Sequence, residues 1–167
     1  MVVLKQSNSI LSSSKLIDEM ALNINNDIFR LVSGLNKDKE FKRLLICTDF
    51  ATNSEKDLSI DLIDKVIVRT PLIPNIDTST CAITINQAIP KDNSYYLQLN
   101  IDIYTPLNQW LVKEGVRPIL LCHCINNFMK TFKQTNGVRY RLTKVSNCSL
   151  GDDIKGYRLT YNTIIDK

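Results

Sequence analysis

The sequence predicts an α+β domain in which a mainly antiparallel sheet of about five to six strands packs with two principal helices. Three observations carry this. Residues 95–104 alternate strictly, with Leu97, Leu99, Ile101 and Ile103 on one side and Gln98, Asn100, Asp102 and Tyr104 on the other. Two other stretches repeat their apolar residues at helical spacing. Several links between the strand-like segments are too short for a crossover, which favours antiparallel pairing.

Taken in order, residues 1–14 are rich in serine and sparse in aliphatics, and read as a flexible, extended arm ahead of one domain at 15–167. The alternative is an arm that lies on a neighbouring subunit. Leu16, Ile17, Met20, Ile24, Ile28, Leu31, Val32 and Leu35 then form a one-sided helical stripe, with Ser14 available as a cap and Gly34 and Asn36 as a stop. Residues 43–48 have the length of a short apolar strand, and a second strand is expected at 65–70, before Pro71 and Pro74. Residues 80–89 form the next strand, ending at Pro90, and Asp92 and Asn93 mark a turn.

After the alternating strand, Pro106 opens a connection containing Trp110, the only tryptophan. A second helix starts at Pro118, since proline suits the first turn, and buries Leu121, Ile125, Phe128 and Phe132. Residues 138–145 alternate again, Gly151 and Gly156 bracket a turn, and residues 157–165 close the sheet.

Composition sets limits on function. The 167 residues are 44% hydrophobic and 23% charged with only five glycines and five prolines, which fits one folded domain and excludes disordered or fibrous classes. The net charge of +4 is spread without runs, a weak pointer to an anionic neighbour. Cys47, Cys81, Cys122, Cys124 and Cys148 are odd in number and read as reduced thiols in a cytosol-like compartment. No apolar run is long enough to span a bilayer, so no membrane partner is expected.

A search for chemistry finds no catalytic, cofactor or metal site, and no enzyme is expected. Cys122, His123 and Cys124 are adjacent, but on a helix they point about 100° apart and cannot converge on one ion. His123 is the sole histidine, and Asp61/Asp64 and Asp152/Asp153 read as solvated pairs. There is no glycine-rich phosphate loop, nucleophile elbow or paired-histidine zinc motif. Arg139, Arg141 and Lys144 form a basic strand, with Tyr140 on the opposite face from the arginines. Trp110 in its polar connection either covers a core edge or anchors an interface.

The run Leu97-Gln-Leu-Asn-Ile-Asp-Ile-Tyr-Thr-Pro, the Trp110 loop, Arg117-Pro118 leading into a helix, and the closing Gly156-Tyr-Arg-Leu-Thr-Tyr resemble, in element order, a known group. It is the head-to-tail joining, tail-completion and tail-terminator proteins of tailed bacteriophages. The serine-rich start and the polar stretch at 49–64 are longer than that group's plain form. The resemblance implies a structural virion protein that forms a ring in the neck or at the head-proximal end of the tail, joining head to tail, and works without cofactor. Made in the host cytoplasm, it would meet copies of itself, other neck, portal or tail proteins, and packaged DNA. Trp110, Tyr104 and Arg117 are the interface residues this reading selects. The competing reading is a small intracellular regulatory or nucleic-acid-binding module.

Overall fold

The computed structural model describes residues 3–46, 67–68, 78–91, 94–135 and 137–163. Helix α1 spans Val3–Lys37, α2 Lys39–Ile46 and α3 Arg117–Thr131. The strands are β1 Ile67–Val68, β2 Thr80–Lys91, β3 Ser94–Pro106, β4 Leu111–Val112, β5 Gly115–Val116, β6 Tyr140–Leu150 and β7 Ile154–Thr163. The main sheet has the order β1-β2-β3-β7-β6, antiparallel throughout except for β1, which runs parallel to β2. This is the α+β, mainly antiparallel architecture that the alternation and short links predict.

The centre of the sheet is the strand with the clearest pattern. Leu97, Leu99, Ile101 and Ile103 on β3 have no exposed surface and meet Ile83 and Cys81 of β2 and Leu159 and Tyr161 of β7. Leu121, Ile125 and Met129 of α3 and Leu31, Val32 and Leu35 of α1 close over that face. Burying aliphatic side chains on both sides of one interface is the main driving force for the fold. Bulges in β2, between Ile85 and Gln87, and in β6, between Leu142 and Lys144, shift the alternation near the sheet's margins.

Four expectations are corrected. The backbone of α1 is helical from Val3, not from Leu16, so helix replaces the extended start expected before residue 15. Residues 43–46 belong to a helix rather than a strand. The Asp38 side chain accepts the Phe41 backbone N–H at 3.0 Å, capping α2, and Glu40 holds Arg43 one turn on. Phe41, Leu44 and Leu45 then fall on one buried stripe, a period that the short apolar run alone did not reveal.

Gly34 does not stop α1. It lies within the helix, and the Phe128 ring of α3 occupies the space its side chain would need. Gly156 is not in a turn but inside β7, where a Cβ would collide with the Ile103 carbonyl. The polar stretch at 49–64, Cys47 and residues 164–167 lie outside the described residues, and of the strand expected at 65–70 only Ile67–Val68 is described.

Candidate interaction surface

Trp110, Tyr104 and Arg117 come from one continuous part of the chain, yet the fold sends them to three environments. Pro106 ends β3, and Leu107–Gln109 make one 3-10 turn that swings the chain over the end of the sheet. Trp110 follows, half-buried. Its indole N–H donates to the Thr105 carbonyl at 3.1 Å, and its ring lies 6.4 Å from that of Tyr157 on β7. The ring is therefore seated on the sheet end, with part of its surface left open.

Arg117 is an internal tie and not a surface residue, being 1% exposed. Its backbone N–H donates to the Trp110 carbonyl at 2.7 Å, closing the small β4–β5 hairpin. Its guanidinium donates to the Leu44 carbonyl at 3.0 Å, joining the last turn of α2 to the start of α3. A charged-looking residue before a proline gave no hint of this, because the acceptor is a backbone carbonyl 73 residues away in sequence.

Tyr104 lies on the other face of β3, with Gln98, Asn100 and Asp102. That face is expected to meet water or a partner, yet Asn100 and Asp102 are 7% and 3% exposed. The polar groups satisfy one another across strands. Asn86 donates to Gln98, Gln98 donates to Asn162 at 3.0 Å, and Thr160 donates to Asn100 at 2.9 Å. Arg158 grips Asp102 with two bonds of 2.7 Å, and the Tyr104 hydroxyl donates to the same carboxylate at 3.2 Å. Burial and the neighbouring Asp102 charge push the Tyr104 phenol up to about 12. Because Gly156 has no side chain, the Cys148 thiol on β6 lies 3.5 Å from the Ile103 carbonyl of β3. This face is an internally bonded ladder.

Among the large exposed apolar side chains, Leu107, Leu111 and Leu150 lie in or beside the turns at one end of the sheet. An open cleft of about 620 Å³ lies between the 3-10 turn and the β6–β7 turn, lined by Pro106, Leu107, Leu150, Ile154 and the acidic pair Asp152 and Asp153. The Leu107 N–H donates to the Asp153 carbonyl at 2.9 Å, so the two turns are fixed to each other. Leu107, Leu150 and Leu111 are 43%, 39% and 71% exposed. Single leucines in turns do not signal a site in sequence; their grouping appears only once β3, β6 and β7 end together.

Among the described residues, burial disfavours the thiolate form of the cysteines. Burial pushes Cys122 and Cys148 up to about 12 and Cys124 up to about 11, so they stay protonated near neutral pH. His123 is exposed on α3, with its ring nitrogen 2.8 Å from the Asn127 amide. Arg139, Arg141 and Lys144 are all exposed, as the alternation predicts for the arginines.

Fold and surface together define an α+β domain whose open features are an apolar-rimmed cleft and a half-seated tryptophan. Residues 38–163 match the YomW family model, and the chain belongs to the YomW family. YomW is a Bacillus phage-region family of the SPbeta-like prophage type, which agrees with a phage origin. No curated protein matches the chain.

Proposed function

We propose that this phage-family chain is a structural virion protein that forms a ring in the neck, or at the head-proximal end of the tail, of a tailed bacteriophage and joins head to tail. The observation that carries the reading is the sheet end, where Leu107 and Leu150 stand exposed at the cleft and, just along the chain from Leu107, Trp110 is half-buried and Leu111 exposed. Closed rings are built from heterologous contacts, in which one patch on a subunit meets a different patch on the next. A half-buried tryptophan with part of its ring open is the kind of aromatic anchor on which such contacts centre. The partners are then copies of the chain itself and other neck, portal or tail proteins, near packaged DNA. The protein acts by assembly, without cofactor and without catalysis.

Mass photometry and negative-stain microscopy of the full chain, alone and with neighbouring gene products, test this. Closed rings or incorporation into particles are expected, and Leu111→Asp reduces both while leaving the thermal midpoint unchanged. Persistent monomers that join no particle overturn it. A second reading, a small intracellular regulatory or nucleic-acid-binding module, draws on exposed Arg139, Arg141 and Lys144 at the sheet edge. It requires DNA binding that weakens steeply with salt.

A further inference from the structure

The two edges of the main sheet differ. Among the described residues, β1 contributes two residues to one edge, whereas β6 presents 11 at the other and pairs only with β7. In an antiparallel ladder alternate residues turn their N–H and C=O groups away from the paired neighbour. An edge strand therefore offers a row of donors and acceptors that another extended backbone can match as a set. Lys144, Val145, Asn147, Ser149 and Leu150 are exposed, and Val145 keeps 54% of its surface open, so this edge lies at the surface of the molecule.

Proteins commonly protect such edges with charges and bulges. Both devices occur in β6, and both lie near its start: the bulge falls between Leu142 and Lys144, and the strand's charges are Arg141 and Lys144. Val145–Leu150, which follows, keeps unbroken register with β7 and contains no charged residue, glycine or proline. We propose that this stretch is a pairing edge, which takes the same stretch of a second copy antiparallel to itself about a two-fold axis and continues the sheet across the pair.

The charge pattern selects a second copy as the occupant. Arg139, Arg141 and Lys144 make the start of β6 basic, and the strand runs out into the acidic turn of Asp152 and Asp153. All five side chains are exposed, and none makes an ion pair among the described residues. A two-fold axis near Asn147 and Cys148 reverses the second strand, so the acidic turn of each copy comes to the basic end of the other. Each such contact then occurs twice. A nucleic-acid backbone would gain at the basic end and be repelled at the acidic turn, whereas a copy of this strand complements both. One strand's width makes a small contact, so the association is weak and concentration-dependent. It goes beyond the neck reading and does not depend on it.

Sedimentation velocity of the full chain over a wide concentration range tests the proposal. Wild type is expected to form dimers of the 19.1 kDa chain. Arg141→Glu with Lys144→Glu weakens the association by at least about tenfold, because the two-fold axis doubles every lost pair and leaves like charges facing. Asp152→Lys with Asp153→Lys does the same. The four changes together restore the association to within about threefold of wild type, since the facing charges are again opposite. Under oxidation, Asn147→Cys beside the axis adds a reducible covalent dimer beyond the wild-type background, whereas Lys113→Cys, exposed in the β4–β5 turn, adds none. The proposal is overturned if wild type stays monomeric throughout, if either double reversal associates as wild type does, if the fourfold variant fails to recover, or if Lys113→Cys cross-links as readily as Asn147→Cys.

Discussion

Asp102 keeps only 4% of its side chain exposed, while its partner Arg158 keeps 42%. The pair is consequently asymmetric: removing the arginine strands a carboxylate that water reaches poorly. Arg158→Met is expected to cost about 2 kcal/mol in urea unfolding, below the full penalty for a buried pair because the arginine is itself half in solvent. A change near zero would mean that the ladder is decorative. Asp27 on α1 is a second buried acid, 1% exposed, whose Oδ1 accepts from the backbone and hydroxyl of Thr135 at 2.8 and 2.7 Å. Burial outweighs these bonds and raises its pKa. The folded chain thus holds the proton more tightly than the unfolded chain. That stability is fully present below about pH 4 and is lost as pH rises through the folded value. Asp27→Asn, neutral at every pH, should gain on wild type between acid and neutral pH in paired denaturation curves; a constant difference would refute the shift.

At the scale of elements, two glycines set distances. An alanine at Gly34 gains about 1 kcal/mol of helix propensity but meets the Phe128 ring. Gly34→Ala should therefore destabilise wild type and stabilise a Phe128→Ala background, a reversal of sign that a double-mutant cycle reads directly. Gly156→Ala meets a backbone carbonyl that cannot rotate away, and a loss above about 3 kcal/mol is expected. These elements also show what was legible beforehand. β3 and α3 were readable because alternation and a one-sided stripe are local signals. α2 was misread because Leu44, Leu45 and Ile46 fit either period over so short a run, and the deciding groups, Asp38 as cap and Arg117 as tie, lie outside it. The packing of Trp110 over a core edge was one of two readings open beforehand, because a tryptophan in a polar connection needs a seat. The interior position of Arg117 could not be found, because its acceptor comes from a distant element.

On the scale of the whole molecule, the described residues divide their work. One sheet face builds the core, the other locks its polar groups together, and the sheet end carries the exposed leucines on which the proposed assembly rests. This division fits a protein whose role is to be held in place by its neighbours. Membership of a phage-region family sets the biological context, and the neck ring is the assembly proposed within it. The most direct measurement is peptide mass spectrometry of purified phage particles combined with gold labelling of an epitope-tagged chain. The account predicts the chain in intact virions, at a fixed copy number, with label confined to the head–tail junction. Particles that are complete and infectious without the chain would contradict it.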